Sequence, residues 1–421
     1  MTTIPFAYPG PDTIARTVLD NGLVVLAREN HAAPLISLEG YLPAGSIHDP
    51  AGQAGLSTFV AGMLSRGSAG YDFDAFNEAN EGVGANLTFA SDKHMTNFSL
   101  SCLSEDFPRL LVILADAIRR PTFTEGLVER LRNQKHIGLQ ERAQDTASMA
   151  NLRYHETIYG DHPYGRSTSG YVETIAHITA DDLRAFHARR YTPRGAILAV
   201  AGDLQAAVIL DQVEDALGDW RGPSPEQSVP VVAFPTQTQR IDHHMPDKFQ
   251  ADIVLGVPAV PRHHPDYYAI RVANTVLGVF GLMGRLGESV REARGLAYYA
   301  YSAQEANQAA GLWTAAAGVN AEQIEPALAA IRAECARLAA ELVPPEELAD
   351  SQAYLTGVLP LTLETNDGVA SSLLNMEWHQ LGLDFLLRYR DLIHAVTPAD
   401  VQHVAQSYLA GGAEVTVVAG P

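Results

Sequence analysis

Residues 55–64, GLSTFVAGML, carry apolar side chains at the spacing of a helix that buries one face. The apolar positions are Leu56, Phe59, Val60, Met63 and Leu64. The opposite stripe holds small residues, Thr58, Ala61, Gly62 and Ser65, where an exposed helix face normally carries charge. A glycine inside a helix costs about 1 kcal/mol relative to alanine. The pattern therefore predicts a helix with one buried apolar face and a second face, here called the small face, that carries only small residues.

Two segments of the chain resemble each other. Residues 179–203 read TADDLRAFHARRYTPRGAILAVAGD, and residues 397–421 read TPADVQHVAQSYLAGGAEVTVVAGP, with Thr, Asp and Gly at one constant offset. Each segment predicts a capped helix, a tyrosine, a turn and an apolar strand. We therefore predict two homologous halves, residues 1–220 and 239–421, joined by the proline-rich linker 221–238.

Strands and helices alternate irregularly within each half. Residues 18–30 place an Asn-Gly turn beside β-branched residues, and residues 36–46 predict a second strand, together a hairpin-like signal. Residues 104–121 predict an amphipathic helix with Ser104 as its cap and Pro121 as its stop, and residues 321–342 predict a long helix. These elements predict an α+β fold in which helices cover a largely antiparallel sheet in each half.

The composition narrows the classes of protein to consider. The 421 residues are 47% hydrophobic and 19% charged, which is sufficient for large cores. A net charge of −20 argues against nucleic acid or an anionic membrane surface as a partner. Cys102 and Cys335 have no companion motif, the N-terminal MTTIPFAYPG lacks a signal-peptide pattern, and no long apolar run occurs. We therefore expect a soluble, cytoplasmic protein.

The histidine pairs and the glycine-rich segment of the chain do not indicate a site of chemistry. Adjacent histidines project in different directions, so the pairs at 243–244 and 263–264 are expected at the surface or in loops. The glycine-rich residues 277–286 lack the Lys and Ser/Thr of a phosphate-binding loop and predict a tight connection. A metal site with relocated ligands near His155 and His162 stays open as an alternative.

The segment GQAGLSTFVAGMLSRGS, residues 52–68, resembles the zinc-site segment of the pitrilysin/insulinase family of metallopeptidases. In the family's catalytic members this segment carries H-x-x-E-H, in which two histidines bind zinc and the glutamate is the general base. The matching positions here are Thr58, Ala61 and Gly62, which offer neither ligand nor base. The family's third zinc ligand is a downstream glutamate, for which Glu129 is the nearest match. The resemblance thus implies a degenerate zinc-site helix and no zinc in this chain.

The resemblance extends over nearly the whole chain. Residues 19–30 and 43–57 are similar to the family's N-terminal strands and the approach to its zinc helix. Residues 162–203 resemble the closing segment of its N-terminal half, and residues 284–302 resemble a signature of its C-terminal half. The fold that this implies has two homologous halves forming a clamshell-like chamber.

The C-terminal signature retains residues with a role in the family. There, an Arg and a Tyr seven positions later face the zinc site, hydrogen-bond the peptide and help stabilise the reacting carbonyl; here they match Arg291 and Tyr298. Residues 285–294 predict a helix that Gly295 can end in the left-handed conformation, and a strand follows. A guanidinium and a phenol are suitable donors to a carbonyl or oxyanion.

A structural interpretation of these two residues competes with the functional one. Arg291 can pair with Glu288 or Glu292 on the surface. Tyr298 can be a half-buried strand residue.

At the level of the protein, the resemblance implies a non-catalytic, substrate-positioning subunit of a two-component zinc metallopeptidase, inactive alone. Its partners would be peptides and an H-x-x-E-H-bearing paralogous subunit that carries the zinc, with a homodimer possible in isolation. The alternative is a purely structural or peptide-binding member of the family with no role in proteolysis.

Overall fold

The computed structural model describes residues 8–224, 228–279 and 284–421. The predictions for the extreme N-terminus, for the middle of the linker and for the centre of the glycine-rich connection 277–286 lie in part outside the described residues. No described helix combines the length and the apolarity needed to cross a membrane.

The strands and helices follow the pattern of apolar residues along the chain. The strands are β1 (Ala15–Val18), β2 (Val24–Glu29), β3 (Leu35–Leu42), β4 (Asn86–Ser91), β5 (Thr96–Leu103), β6 (Ile197–Gly202), β7 (Gln239–His244), β8 (Gln250–Ala259), β9 (Ala297–Ala306), β10 (Gly311–Asn320) and β11 (Val415–Gly420). The helices are α1 (Leu56–Met63), α2 (Phe73–Glu81), α3 (Phe107–Arg119), α4 (Glu125–Arg142), α5 (Thr146–Tyr159), α6 (Val172–His177), α7 (Ala180–Arg190), α8 (Ala206–Leu217), α9 (Tyr267–Leu277), α10 (Ile324–Ala340), α11 (Pro345–Thr362), α12 (Asn366–Trp378), α13 (Phe385–His394) and α14 (Pro398–Val404). Short 3₁₀ turns lie at Ser46–His48, Leu64–Arg66, Pro163–Gly165 and Ala321–Gln323, and π-helical turns lie at Gly287–Glu292 and Ala405–Leu409.

The two sheets have the same strand order except that the first has an additional strand, β1, at one edge. The first runs β1-β2-β6-β3-β5-β4 and the second β7-β11-β8-β10-β9. In each sheet the strand that closes a half, β6 or β11, pairs in parallel with one neighbour and antiparallel with the other. The other pairings are antiparallel. This confirms the predicted α+β fold with two homologous halves, each a largely antiparallel sheet covered by helices.

The capping boxes that precede these two strands have the same geometry. Thr179 Oγ1 donates to Asp182 Oδ2 at 2.6 Å and accepts from the Asp182 amide at 3.2 Å. Thr397 makes the same two bonds with Asp400, also at 2.6 and 3.2 Å. A capping box satisfies two amides that the first turn of a helix would leave without acceptors. The repeat seen in the sequence is therefore a repeat of structure.

The compact units do not coincide with contiguous halves of the chain. One unit contains Met1–Leu139, Ser167–Ser228 and Pro360–Arg388, and the other contains Gln140–Arg166, Val229–Leu359 and Tyr389–Pro421. Within the first unit α12 packs on β6 and β3, and within the second unit α5 packs on β11 and β8. The C-terminal half of the chain thus contributes α12 to the first unit, and the N-terminal half contributes α5 to the second, and each helix covers part of the sheet of its own unit.

Two local predictions were wrong. The strands predicted in residues 18–30 and 36–46 do not form a hairpin, because β6 lies between β2 and β3 in the sheet. The Asn-Gly turn instead joins β1 to β2, and Gly22 takes a φ of 90° there. The helix predicted over residues 104–121 begins at Phe107, with Asp106 rather than Ser104 as its N-cap.

Candidate functional site

Helix α1 is fixed at its N-terminus by a buried carboxylate. Asp49 Oδ2 accepts the Gly55 amide at 2.8 Å and Oδ1 accepts the Ser57 amide at 2.9 Å, so first-turn donors are satisfied by an anion at the positive end of the helix. Gly55 has a φ of 93°, a left-handed conformation that suits glycine. The predicted apolar face is buried in the core of the first unit; its residues are Leu56, Phe59, Val60, Met63 and Leu64.

The small face of α1 is covered by side chains of α4. Lys135 Nζ donates to Thr58 Oγ1 at 3.0 Å. A Cβ atom added at Gly62 would lie 3.0 Å from Leu131 Cδ2, a distance that forces the leucine to move. Ala61 is 1% exposed. The small side chains therefore let two residues of α4, spaced one helical turn apart, come close to the α1 backbone.

Thr58 connects three segments of the first unit through its hydroxyl. Oγ1 lies 3.0 Å from the Gly55 carbonyl oxygen and 3.1 Å from the Thr168 carbonyl oxygen, and either can accept its proton. The same oxygen accepts the bond from Lys135. A histidine at this position would remove all three interactions.

Positive charge is concentrated beside this face. Lys135 Nζ lies 5.7 Å and the Arg132 guanidinium carbon 5.5 Å from the centroid of the Phe59 ring. Arg66 donates to the Gly62 carbonyl and, at 2.9 Å, to Gln134 Oε1. Burial lowers the pKa of Lys135 to about 8, with the charge of Asp49 opposing and that of Arg66 adding to the shift. The ammonium form still predominates at neutral pH.

These residues do not fit a zinc ion. Zinc is bound by imidazole, thiolate or carboxylate, and Thr58, Ala61 and Gly62 supply none of them. Lys135 adds a cation with no lone pair in its protonated form. Glu129, the nearest sequence match to the family's third ligand, has a 61% exposed side chain that pairs with Arg132 at 3.0 Å. The α4 residues that meet Thr58 and Gly62 are instead Lys135 and Leu131.

Lys135 is the site residue that the sequence analysis missed, although a signal was present. Val128, Leu131 and Leu139 are buried, and Lys135 occupies the same stripe of α4 at helical spacing. A lysine inside an apolar stripe indicates either a side chain whose ammonium reaches solvent or one whose ammonium makes a specific interaction within the protein.

The segment around Arg291 and Tyr298 has the predicted local structure. The π-helical turn Gly287–Glu292 is followed by Gly295 with a φ of 59°, and its amide donates to the Arg291 carbonyl at 2.9 Å. Strand β9 then begins at residue 297 and carries Tyr298 near its start. Gly295 thus reverses the chain so that the helical turn leads directly into the strand.

The side chains of these two residues are accessible. Tyr298 is 81% exposed, which differs from a half-buried strand residue, and its hydroxyl has no hydrogen-bond partner among the described residues. Arg291 Nε lies 3.6 Å from Glu292 Oε1, too far for a hydrogen bond, and its side chain is 31% exposed. Neither side chain is committed to a strong interaction within the described chain.

Each unit has an edge strand beside its own candidate residues. In the first sheet β4 is one of the two outer strands and contacts α1. In the second sheet β9, the strand of Tyr298, is one of the two outer strands. An edge strand has one row of backbone amide and carbonyl groups without a strand partner in the described sheet, and such a row can pair with an extended peptide.

The region of His155 and His162 is occupied by structural contacts. His155 lies 2.9 Å from the Asn151 carbonyl through Nδ1 and 3.0 Å from Glu305 Oε1 through Nε2. His162 Nδ1 accepts the Tyr164 amide at 3.1 Å, and Nε2 lies 3.0 Å from the Pro230 carbonyl. All four ring nitrogens are engaged, so the geometry of this pair does not favour relocated metal ligands.

Comparison with known protein families gives two matches along the chain. A family profile described as Insulinase (Peptidase family M16) matches residues 24–171. A profile described as Peptidase M16 inactive domain matches residues 177–355. The first match contains α1 and α4, and the second contains Arg291 and Tyr298.

Relatives and solved structures agree with these matches. An uncharacterized zinc protease of Streptomyces coelicolor is 26% identical over 98% of this chain and 90% of its own length. Subunit 1 of the mitochondrial cytochrome b-c1 complex of Bos taurus is 27% identical over 62% of this chain and 54% of its own length. A crystal structure titled as a peptidase M16 inactive domain from Pseudomonas fluorescens superposes with a TM-score of 0.91 at 27% identity, covering 97% of this chain and 98% of that one. A Helicobacter pylori protease has the same fold, with a TM-score of 0.91 at 19% identity over 98% of this chain and 100% of that one. The chain is a member of peptidase family M16, the insulinase family.

Proposed function

We propose that this chain is a non-catalytic, substrate-positioning subunit of a two-component zinc metallopeptidase. The observation that carries the proposal is the environment of α1, where Thr58, Ala61 and Gly62 replace the zinc-binding histidines and the general base. Lys135 reinforces it, since its ammonium lies 3.0 Å from the Thr58 hydroxyl and opposes binding of a divalent cation.

Because α1 carries no general base, zinc-dependent peptide hydrolysis is not expected at this helix. Hydrolysis by this family's catalytic members needs a carboxylate that takes a proton from zinc-bound water. Ala61 cannot accept a proton, and the closest titratable group on α4 is a protonated amine rather than a carboxylate. Catalysis in the complex would therefore occur on the partner.

The accessible donors of the second unit support a role toward peptide. Tyr298 offers a phenol on the edge strand β9, and Arg291 offers a guanidinium whose nearest carboxylate is 3.6 Å away. Both can donate to a peptide carbonyl or to a developing oxyanion. We assign them the substrate-binding role of this subunit.

The partner would be a paralogous chain that bears H-x-x-E-H and holds the zinc. A second candidate function is a structural one without proteolysis, and the match to a subunit of the cytochrome b-c1 complex favours it. The two candidates differ in what they require of Arg291 and Tyr298, which only the positioning role needs.

Reconstitution tests the proposal. The chain is purified alone and together with the H-x-x-E-H chain encoded nearest to it in the same genome, and each preparation is assayed with a fluorogenic peptide and by zinc analysis. We expect no zinc and no cleavage for this chain alone, and zinc-dependent cleavage for the pair above that of the partner alone. Stoichiometric zinc with chelator-sensitive cleavage by this chain alone would contradict the proposal, as would a partner that is fully active without it.

A further inference from the structure

The ammonium group of Lys135 lies on the small face of α1 and has few hydrogen-bond acceptors around it. An ammonium has three N–H donors, and within the described part of the chain it reaches one acceptor, Thr58 Oγ1, at 3.0 Å. The Phe59 ring lies on one side of it, at 5.7 Å from Nζ. Its two remaining donors are therefore left for solvent or for an acceptor on a bound ligand.

The nearby anion does not accept from these donors. Asp49 acts on Lys135 through its charge, and its oxygens accept the Gly55 and Ser57 amides at the start of α1, but no hydrogen bond or ion pair joins it to Lys135 among the described residues. Arg66 is a second cation close enough to act on Lys135. The face therefore keeps a local excess of positive charge in a chain whose net charge is −20.

We propose that Lys135, held in place by Thr58 and with Arg66 adding positive charge, forms a binding site for a carboxylate group of a bound peptide. The carboxylate would accept the free N–H groups of Lys135 in charge-assisted hydrogen bonds, which are about twice as strong as neutral ones. Thr58, Gly62 and Lys135 are all partly exposed, so the face is open to solvent on one side. This inference rests on the proposed role of the chain in holding peptide.

Two peptide groups share this chemistry, the C-terminal carboxylate and the side chains of Asp and Glu. We would incubate the full-length chain with random nine-residue peptide pools and measure the retained peptides by mass spectrometry after ultrafiltration. One pool lacks Asp and Glu and has a free C-terminus, a second lacks Asp and Glu and is amidated, and a third contains Asp and Glu and is amidated. At least one carboxylate-bearing pool should be retained about tenfold better than the second, and which of them is retained identifies the source.

The variant Lys135→Met keeps the length of the side chain and removes the charge. We expect it to abolish the preference for carboxylate while leaving retention of the uncharged pool unchanged. Arg130→Gln, on the same helix, removes the same charge from a side chain that lies over Phe73 at 5.4 Å, and it should keep the preference. Circular dichroism confirms that both variants are folded.

The possible results separate this inference from the proposed function. Equal retention of all three pools by the wild-type chain would overturn the carboxylate site and leave peptide binding intact. A preference that survives Lys135→Met, or that Arg130→Gln abolishes equally, would also overturn it. Retention of no pool would contradict both the carboxylate site and the assignment of peptide binding to this chain.

Discussion

The ammonium of Lys135 donates to the hydroxyl of Thr58 at 3.0 Å, across two helices separated by a long stretch of chain. By its resemblance to the family's zinc-site segment, Thr58 matches the first histidine position of the zinc motif. The small residues on this face of α1 are thus explained, because they let Lys135 and Leu131 of α4 approach the helix closely. The helix loses stability at Gly62 and gains close packing against its neighbour.

Replacing Lys135 by methionine should stabilise the chain at neutral pH. Burial lowers the pKa of Lys135 to about 8 from its ordinary value near 10.5, so the charged form is disfavoured in the folded state. One unit of pKa corresponds to about 1.4 kcal/mol, and after loss of the bond to Thr58 we expect a gain of about 2 kcal/mol in the free energy of unfolding at pH 7.

The pH dependence of that gain provides its control. Between pH 8 and 10.5 the unfolded chain binds more protons at this lysine than the folded chain does, so wild-type stability rises with pH through this window. The advantage of Lys135→Met should therefore shrink from pH 7 to pH 10 in urea titrations. A constant difference at both pH values would show that packing rather than charge is responsible.

Rebuilding the zinc motif in α1 should not by itself create a zinc site. In Thr58→His/Ala61→Glu/Gly62→His, the new side chain at 62 meets Leu131 Cδ2, and the Lys135 ammonium repels the metal. Adding Lys135→Glu to this triple variant replaces the repulsion by a potential ligand, and we expect zinc affinity at least tenfold higher than in the triple variant. Chelator competition measures both, and tight binding by the triple variant alone would contradict this account.

The carboxyl pair Glu39 and Asp367 should make stability fall as the pH rises from about 4.5 to 8. Burial and a hydrogen bond with Asp367 raise the pKa of Glu39 to about 8 from its ordinary value of 4.5. The folded chain then binds more protons than the unfolded chain between these values, so this stabilising contribution is full below pH 4.5 and is lost as pH rises through 8.

The substitution Glu39→Gln keeps a neutral hydrogen-bonding group and removes this titration. In urea titrations the variant should be more stable than wild type at pH 8.5, and the difference should diminish toward pH 5. Glu78→Gln, on the exposed side of α2, is the matched control and should follow the wild-type curve. A wild-type curve that does not diverge from that of Glu39→Gln between pH 5 and pH 8 would contradict the raised pKa of Glu39.

The two capping boxes should contribute equally to stability because their distances agree. Thr179→Ala and Thr397→Ala each remove a hydroxyl that accepts the amide three residues later, a change that costs about 1 kcal/mol. Thermal unfolding of the two variants measures this. A large cost for one variant and none for the other would show that the halves do not rely on the repeat in the same way.

Local elements were predictable from the sequence because their signals are local. Helical spacing predicted α1 and α10, and the paired Thr-x-x-Asp caps predicted the repeat. The insertion of β6 between β2 and β3 was not predictable, since strand order depends on residues far apart in the chain. For the same reason, the packing of α12 on one sheet and of α5 on the other could not be predicted. An apolar stripe shows that a helix is buried but does not show which element it packs against.

In the candidate site, too, the local features could be predicted from the sequence and the contacts between distant segments could not. The absence of zinc in this chain stays a prediction, whereas the Gly295 turn before Tyr298 could be predicted, because it depends on the residue type at one position. The contact between Lys135 and Thr58 could not, because it depends on how α4 lies across α1. Glu129 matches the family's third ligand by similarity alone, and the structure places it toward solvent with Arg132.

Steady-state kinetics of the assembled pair test the central claim most directly. Tyr298→Phe removes only a hydroxyl from an exposed side chain, and Arg291→Ala removes the guanidinium that would assist it. An oxyanion donor contributes about 10²–10³ in rate, so each variant should lower kcat of the complex by about 10²-fold, with complex formation unchanged in size-exclusion chromatography. Wild-type turnover from both variant complexes would contradict the positioning role and favour a structural subunit.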